Sequence, residues 1–480
     1  MISVTDLPER MAFTKPDIEQ MHQAALRTLQ ELGISVENQA ALQALADAGV
    51  RVVGTRAFFE PEFVTEHLTQ LRQDWDKAPS SPPGSLTVTV GDMCQYYHKP
   101  ANDEIELMTT ANVIESTKSV ETMRPRGLGS YVPGVPRDVP PQLQAIVEYR
   151  IGAEFLSDGP TLDTLHPPEA LNYLFDMAEA LGKPIRSTGI FSVSPLRLSG
   201  YEFDLAVQFK DRWRHYWVTT YPAAGVSAPV HFRAAWVLSI AEALGGAVTL
   251  HVVSGGKPVS ISVGMFPFDL RTLTIVGGMP ECAWMYWARA QINRFYDPAA
   301  GYSMMIGTQA KRPGLQAGYE KGLAGAFGVM TGCDDLHYVG VLSFDDIFSP
   351  EQMVADCELR DALVQLRRGI PPEDPDRWID EIREGIEKGY VQADSTLNHY
   401  RDAYWFSQLF DRLSWHSFQQ VQGKTARQRA RQEVLSRLSS YHYQPPAPAI
   451  QDVRLIFEKA WKQLGGDPQA EHLRLLYNEG

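Results

Sequence analysis

The sequence predicts an α/β fold, namely a (β/α)8 barrel with a helical module before it and further helices after it. Between residues 85 and 370, short β-rich runs alternate with longer helical patterns, which indicates a parallel sheet. This stretch holds eight candidate strands and eight candidate helices, and its length is close to the usual barrel size of about 250 residues. A doubly wound open sheet is the alternative, but its glycine fingerprint follows none of the candidate strands.

The first part of the chain, residues 1–84, is predicted to be a small helical module. Apolar residues at Ile18, Met21 and Ala25 recur at helical spacing and predict a helix over 17–32. The other predicted elements of the module are helices at 38–48 and 61–73 and a Pro- and Ser-rich loop at 78–85.

The barrel is predicted over residues 85–370. Its candidate strands are 86–90, 128–133, 159–165, 186–193, 215–220, 258–263, 301–306 and 331–339. Its candidate helices are 110–122, 139–156, 169–182, 200–211, 229–252, 280–296, 316–328 and 350–368. The remaining residues, 371–480, are predicted to form a helical extension packed on the barrel, with helices from 375, over 424–440 and over 450–464.

Composition limits the partners and the compartment. The 480 residues carry a formal net charge of −14, which argues against broad binding to nucleic acid or to an anionic membrane. The apolar stretch 236–253 is interrupted by Glu242 and two glycines, so it predicts a buried helix and not a membrane span. No secretory signal is evident, and the four cysteines lie far apart, which predicts a reduced cytoplasmic protein with buried thiols.

Aromatic residues dominate the predicted active end of the barrel. Barrel enzymes carry their chemistry at the carboxyl ends of the strands and in the loops that follow. A quaternary ammonium has no N–H to donate, so it is bound by aromatic faces through cation–π attraction. The alternative is that these rings simply pack under the loops. The aromatic candidates are Tyr96, Tyr97, Phe191, Tyr221, Phe266, Phe268 and Tyr338.

Polar candidates follow the last two predicted strands. Lys311 and Arg312 are suited to hold a substrate carboxylate, unless they are solvated loop charges. His337 is suited to bind a carboxylate, to act in acid–base chemistry or to ligate a metal, unless it is a structural histidine. Gln309 lies on the same loop as Lys311. A metal trio of His98, His166 and His215 has no support from spacing.

An ordered series of segments resembles the trimethylamine methyltransferase (MttB) family, from about residue 17 to the C-terminal helices. The segments are MHQAALRTLQELGISVENQAALQALADAGVRV, YPAAGVSAPVHFRAAWVLSIAEALGGAVTLHVVSGGKPV, FDLRTLTIVGGMPECAWMYWARAQINRFYDPA, QAGYEKGLAGAFGVMTG, SPEQMVADCELRDALVQLRRGI and TLNHYRDAYWF. The chain shows no pyrrolysine, so it resembles the non-pyrrolysine branch, whose members demethylate glycine betaine and other quaternary amines.

The resemblance implies a (β/α)8 barrel that moves a methyl group from a small quaternary amine to the Co(I) of a cognate corrinoid protein. It implies that this chain binds no cofactor tightly, because the cobalamin-type corrinoid is carried by the partner. A homo-oligomer is expected, and nucleic acid and membranes are not. The substrate-binding residues are then expected to be Tyr97, Phe191, Tyr221, Phe266, Gln309, Lys311, Arg312, His337 and Tyr338.

Two positions depart from the family pattern. Gln309 and Gly314 stand in the loop after the seventh strand, where the family pattern has aspartates, and this predicts an altered substrate choice. The neighbours that still match are Lys311, Gln316, Glu320 and Lys321. Two other classes remain open: a zinc-dependent barrel methyltransferase or lyase, and a catalytically silent homologue that binds a betaine.

Overall fold

The computed structural model describes residues 12–75, 86–129, 131–160, 167–370 and 372–467. The predicted loop 78–85, residues 161–165 of the predicted third strand, and His166 of the considered metal trio lie outside the described residues.

The described helices are α1 (Lys15–Glu31), α2 (Gln39–Asp47), α3 (Pro61–Trp75), α4 (Thr110–Met123), α5 (Pro141–Phe155), α6 (Pro168–Ala180), α7 (Tyr201–Gln208), α8 (Phe232–Val253), α9 (Pro280–Tyr296), α10 (Leu315–Met330), α11 (Pro350–Arg368), α12 (Trp378–Lys388), α13 (Asp394–Ala403), α14 (Trp415–Gln420), α15 (Ala426–Ser439) and α16 (Ala447–Gln463). The described strands are β1 (Ile34–Val36), β2 (Arg51–Val53), β3 (Arg56–Phe58), β4 (Thr87–Val90), β5 (Tyr96–His98), β6 (Ile105–Leu107), β7 (Ser187–Phe191), β8 (Arg197–Leu198), β9 (His215–Thr220), β10 (Val259–Val263), β11 (Phe268–Asp269), β12 (Thr274–Ile275), β13 (Ser303–Met305), β14 (Asp335–Val339), β15 (Val341–Leu342) and β16 (Ile347–Phe348).

Two parallel sheets form the centre of the molecule. One has the order β7–β9–β10 and the other the order β13–β14–β4, and every pairing within them is parallel. A parallel bridge from Val88 to Leu128 adds one residue of the predicted second strand beside β4. Among the described residues no ladder joins β10 to β13. The predicted α/β class is therefore confirmed, while the hydrogen-bonded ring of a closed barrel is not seen.

The strand and helix predictions agree with most of the central region. Six of the eight predicted strands are present, as β4, β7, β9, β10, β13 and β14. The last one is shorter than predicted, because residues 331–333 form a turn in which Cys333 N–H donates to the Gly328 carbonyl. The predicted helices between residues 110 and 368 are all present within a few residues of their expected ends.

The N-terminal module differs from the prediction, because three short strands lie between its helices. β1 pairs antiparallel with β3 and parallel with β8, which joins the module to the central region. Strands of three residues are too short to show the alternation that identifies a strand in a sequence. Helix α1 packs on α8 at Gly245, where a Cβ would lie 3.0 Å from the Leu29 side chain, so the glycine permits this close approach.

Helix α8 is apolar on all sides and lies in the core, as predicted. It is the one described helix that is long and apolar enough to cross a membrane, and 83% of its most apolar window is buried inside the fold. Its Glu242 carboxylate accepts hydrogen bonds from Leu196 N–H at 2.8 Å and from Ser194 Oγ at 2.7 Å. Burial raises the pKa of Glu242 to about 7. This buried carboxylate therefore fixes the loop that follows β7.

His67 on α3 and His251 on α8 connect the N-terminal module to the central helix. Their Nδ1 atoms are 2.7 Å apart, so one ring donates to the other. Burial lowers the pKa of both rings, and the neighbouring His67 lowers the pKa of His251 further. In the unfolded chain both titrate near 6.5. Below that pH the unfolded chain takes up more protons than the folded chain, so stability falls.

We therefore expect the histidine pair to lower the thermal midpoint of the wild type relative to that of His251→Gln as the pH falls from about 7.5 to about 5.5. His251→Gln keeps a polar group and removes one of the two coupled titrations, so the midpoint of the variant minus that of the wild type should rise over this range. Differential scanning calorimetry at several pH values measures this. His416→Gln, on the exposed face of α14, is the matched control and should keep the wild-type dependence. An unchanged pH dependence in His251→Gln would contradict the assignment.

Candidate functional site

A chain of aromatic rings runs along the carboxyl ends of both parallel sheets. Tyr221 stacks on Phe266 with ring centroids 4.7 Å apart, and on its other side lies Phe191 at 6.2 Å. Phe266 meets Phe344 edge-on at 5.5 Å, and Phe344 meets Tyr338 at 5.8 Å. Phe266 follows β10 and Tyr338 is in β14, so the rings join the ends of the two sheets. We call these five residues the aromatic wall.

The strand pairing places the first half of the aromatic wall. Phe191 ends β7, Tyr221 follows β9 and Phe266 follows β10, and parallel strands bring their carboxyl ends to one edge. A parallel bridge between Ala223 and Phe266 keeps the two loops in register. Gly264 is required here, because a Cβ at that position would lie 2.6 Å from the Tyr221 ring.

A buried ion pair places the second half of the aromatic wall. Tyr338 and Phe344 have φ values of 73° and 67°, in the left-handed region that side chains disfavour. Lys321 Nζ donates to the Tyr338 carbonyl at 2.9 Å, and the Asp356 carboxylate accepts from Gly340 N–H at 2.8 Å. Lys321 and Asp356 pair with each other at 2.9 Å and are each 1% exposed. This pair holds the unfavourable backbone of β14 and its loop.

Glu320 organises the neighbouring loop in the same way. Its carboxylate accepts from Thr308 Oγ1 and from Gln309 N–H at 2.8 Å. The Gln309 side-chain amide donates to the carbonyl of Ile275 in β12. Gln309 therefore connects the loop after β13 to the β11–β12 hairpin, and both segments border the aromatic wall.

Arg289 is the cation that sequence reasoning missed. Its guanidinium carbon lies 5.2 Å from the Tyr221 ring centroid and 5.5 Å from that of Tyr286. Ser262 Oγ accepts one of its N–H groups at 2.7 Å. Within the described part of the chain, no carboxylate forms an ion pair with it. It lines a cavity of about 270 Å³ between β10 and β13. A guanidinium in such a place needs an anion to offset its desolvation.

Three carboxyl groups, those of Asp92, Glu148 and Asp345, interact with one another or with Tyr338 of the aromatic wall. Burial raises the pKa of Glu148 to about 8, and the charge of Asp92 raises it further. Burial likewise raises the pKa of Asp345 to about 6, with contributions from Asp346 and Asp92. Asp92 also acts on Tyr338, a residue of the aromatic wall. At pH 7 Glu148 is therefore mostly protonated, while Asp345 and Asp92 place negative charge beside Tyr338.

His337 lies between Arg289 and the carboxyl groups beside Tyr338. Its ring is 4.5 Å from that of Tyr338. Burial lowers its pKa, Asp335 and Asp92 oppose this, and Arg289 lowers it further. The net result is a pKa below the usual value, so the imidazole is neutral at pH 7 and can donate one hydrogen bond. The Asp335 carboxylate is already engaged by the hydroxyls of Thr87, Thr89 and Ser303.

The structure does not bring every predicted residue to this place. Tyr97 lies in the core, 2% exposed, and its hydroxyl donates to Glu115 at 2.6 Å. Lys311 and Arg312 are exposed, and they contact Ser343 and Asp103 respectively. The two described histidines of the possible metal trio lie in separate hydrogen-bond networks. His98 contacts Ser349 and Asp103, and His215 contacts Ser187 and Ser260. The four cysteines are buried and form no disulfide: Cys94, Cys282, Cys333 and Cys357.

The residues that sequence reasoning missed had weak signals. Arg289 is in the middle of a helix, where the strand-end rule does not look. Phe344 follows β14, the last predicted barrel strand, by several residues, and Asp92 follows β4, the first predicted barrel strand, by two. A search for charged residues close after the first strand would have found Asp92. Nothing in the sequence pattern of α5 would have singled out Glu148.

Comparison with known proteins identifies one family. The model of the family described as "Trimethylamine methyltransferase (MTTB)" matches residues 3–101 and 170–455. The glycine betaine methyltransferase of Desulfitobacterium hafniense is 22% identical over 92% of this chain and 94% of its own length. A trimethylamine methyltransferase MttB of the same species is 22% identical over 94% of each chain. A proline betaine:corrinoid methyltransferase of Eubacterium limosum is 22% identical over 88% of this chain and 92% of its own length.

Because the Lys321–Asp356 pair is buried, removing one partner should be costly. Lys321→Met leaves the Asp356 charge unpaired, and we expect it to lower the free energy of unfolding by about 3–5 kcal/mol. Lys321→Met combined with Asp356→Asn removes both charges and keeps an acceptor for Gly340 N–H, so it should recover most of that loss. Urea denaturation measures both variants.

The matched control is Lys15→Met, which removes a lysine from an exposed ion pair with Glu19 at 3.9 Å. It should change stability by less than about 1 kcal/mol. A double variant as unstable as Lys321→Met alone would show that the unpaired charge is not the cause of the loss.

Proposed function

Because the chain belongs to the trimethylamine methyltransferase (MTTB) family, we propose that it is a corrinoid-dependent methyltransferase whose methyl donor is a small zwitterionic quaternary amine, such as glycine betaine. One observation carries this proposal: a partly buried guanidinium, without a carboxylate partner in the described part of the chain, lies beside an aromatic wall whose Tyr338 end is next to the carboxylates of Asp92 and Asp345. A betaine has a cationic end and an anionic end at a fixed short distance. The site has the complementary arrangement of charge.

The quaternary ammonium is assigned to the aromatic wall. Tyr221 and Phe266 present stacked rings there, and cation–π attraction stabilises a desolvated ammonium by about 2 kcal/mol or more. The carboxylates of Asp92 and Asp345 add negative potential beside Tyr338. Together they bind a cation that offers no N–H group for a hydrogen bond.

The substrate carboxylate is assigned to Arg289. Its guanidinium carries five N–H donors. Ser262 accepts one, and the hydroxyls of Tyr221 and Tyr286 also interact with the guanidinium, so donors remain for a carboxylate. A buried carboxylate must be hydrogen-bonded, and Arg289 supplies this together with a full positive charge. Neutral His337 adds a donor from β14. Lys311 and Arg312, predicted for the same task, are assigned to the exposed rim of the site.

The proposed reaction needs no acid or base from the chain. The C–N bond breaks with its electron pair left on nitrogen, so the leaving group is a neutral tertiary amine and no proton moves. The corrinoid of the partner protein supplies the nucleophile that accepts the methyl group. The task of this chain is to hold the ammonium so that one methyl group faces the incoming partner and to exclude water from it.

The outer end of the aromatic wall is accessible to such a partner. Phe191 is 40% exposed, and Leu273 in the β11–β12 hairpin is 72% exposed. These apolar side chains border the space above Tyr221 and Phe266. The residues present therefore fit a reaction in which the methyl acceptor approaches from outside the chain. A cytoplasmic location belongs to this proposal.

The two parallel sheets are assigned to one (β/α)8 barrel. The first strand, β4, pairs with the last, β14, as closure requires, and strands within each sheet follow the order of the sequence. The contact between Phe266 and Phe344 joins the two sheets at their carboxyl ends. In this assignment, residues 85–370 form the barrel between the N-terminal module 1–84 and the C-terminal region 371–480.

The direct test is methyl transfer from glycine betaine to free reduced cobalamin. We expect dimethylglycine to form only when the reduced corrinoid is present, in amounts equal to the corrinoid methylated, as followed by absorbance and mass spectrometry. Dimethylglycine formed without a corrinoid would refute the proposal. Betaine binding without transfer to free or protein-bound corrinoid would favour the silent binding protein. Loss of activity to a zinc chelator would favour the zinc enzyme.

The role of Arg289 is tested by comparing substrates with and without a carboxylate. Arg289→Gln removes a charge-assisted contact worth about 1.5–3 kcal/mol, so we expect betaine affinity to fall about 10- to 100-fold. Binding of tetramethylammonium, which has no carboxylate, should change little. Isothermal calorimetry measures both.

Arg294→Gln is the matched control on the same helix, because Arg294 pairs with Asp334 at 3.4 Å near the start of β14. It should leave betaine affinity unchanged. An equal loss of betaine and tetramethylammonium binding in Arg289→Gln would place Arg289 in the scaffold of the site instead of on the carboxylate.

A further inference from the structure

A long apolar surface lies between α11 and α15. We call residues 372–421, which contain α12, α13 and α14, the apolar arm. Large apolar side chains are exposed along its whole length. By contrast, helix α15 packs on α11 and α4, and helix α16 packs on α5 and α6. The exposed ones are Trp378, Ile379, Ile382, Ile386, Tyr390, Val391, Leu397, Tyr400, Tyr404, Phe406, Phe410, Leu413, Trp415 and Val421.

Helix α12 shows most clearly that this surface is suited to pack against another apolar surface. Trp378, Ile382 and Ile386 recur every four residues and form one apolar stripe, and Ile386 is 75% exposed. Charged residues such as Arg383, which pairs with Asp380, occupy the other faces of the helix. An amphipathic helix is stable when its stripe packs on another apolar surface.

The rest of the described chain does not provide that surface. The main packing partners of α12 and α13 are two short 3-10 turns, Pro375–Arg377 and Tyr390–Gln392, which belong to the apolar arm itself. The apolar arm is fixed to the fold at its far end, where the Glu358 carboxylate accepts from Ser407 Oγ at 2.6 Å and from Gln408 N–H at 2.7 Å. The arm is thus held in place while its apolar side chains face outward.

The size of the surface matches a permanent interface. Seven of these side chains are aromatic, and aromatic side chains cover about 150–250 Å² each. With these side chains roughly half exposed or more, the apolar arm presents on the order of 1,000 Å² of apolar surface. The largest apolar patch of a typical monomer is about 300–600 Å². A stable protein interface needs about 800 Å² from each partner.

The apolar arm begins away from the aromatic wall. Arg367, near the end of α11, donates to the carbonyl of Cys333, which precedes β14. Helix α11 therefore ends at the amino end of β14, whereas the aromatic wall lies at the carboxyl ends of the strands. The apolar arm starts from this opposite side and returns along α11 to Glu358, which binds Ser407 and Gln408.

We infer that the apolar arm is the interface with a second copy of this chain. A carrier that must dissociate in every catalytic cycle would leave the arm bare for much of the time, whereas a second copy is always present. The interface is two-fold symmetric, so that the stripe of α12 in each copy packs on the apolar arm of the other. The choice of a second copy over a carrier rests on the proposed function, whereas the exposed apolar surface does not depend on it.

Sedimentation equilibrium of the full chain tests the inference. We expect about twice the chain mass of 53.7 kDa at micromolar concentration. Ile382→Glu combined with Ile386→Glu puts charges into the stripe and should give a monomer with an unchanged far-UV circular dichroism spectrum. The matched control is Leu435→Glu combined with Leu455→Glu, two exposed positions on α15 and α16, and it should remain a dimer. A monomeric wild type, or a stripe variant that stays dimeric, would overturn the inference.

A second measurement covers the case in which the stripe variant does not fold. Glu387→Cys introduces an exposed thiol on α12, and the four native cysteines are buried. A bis-maleimide should then link two copies covalently under native conditions. Wild-type protein treated in the same way is the control and should not be linked. A Glu387→Cys protein that stays unlinked would place any dimer interface elsewhere and refute the inference.

Discussion

The candidate site depends on the buried ion pair between Lys321 and Asp356. One strand, β14, supplies Tyr338 and His337, and its backbone at Tyr338 and Gly340 adopts the left-handed conformation. A non-glycine residue is strained there, and such strain persists only where the surroundings determine the conformation. Lys321 holds the Tyr338 carbonyl and Asp356 holds the Gly340 amide. Two helices thus fix the segment on which half of the aromatic wall is built.

Charge is separated within the site because different elements supply each sign. Arg289 comes from α9, whereas Asp92 follows β4 and Asp345 lies between β15 and β16. Had these groups been in contact, they would have neutralised one another and left no field for a ligand. Their separation by the aromatic wall keeps both ends of the site available. A zwitterion satisfies both ends at once, while a simple ammonium satisfies only one, which is the physical basis for preferring a betaine.

The sequence alone predicts those helices and strands in which apolar residues recur at a regular spacing. Strand β9 was predicted at its observed bounds, and the position of Tyr221 just after it followed from the rule for parallel strands. The position of Arg289 could not be predicted, because only tertiary packing decides which residue of a buried helix reaches the gap between two strands. The stripe of α12, including Ile386, faces outward. A sequence pattern shows that a helix has an apolar face, but not whether that face meets its own chain or another one.

The departures from the family pattern can be interpreted in the same physical terms. The resemblance leads us to expect an aspartate at position 309, but the Gln309 amide donates to the Ile275 carbonyl, a bond that a carboxylate is unable to make. The glutamine therefore exchanges a charge near the site for a tie to the β11–β12 hairpin. The negative potential beside Tyr338 comes from Asp92 and Asp345, which follow β4 and β15. Position 309 therefore contributes a structural tie to the site, while other loops supply the negative charge.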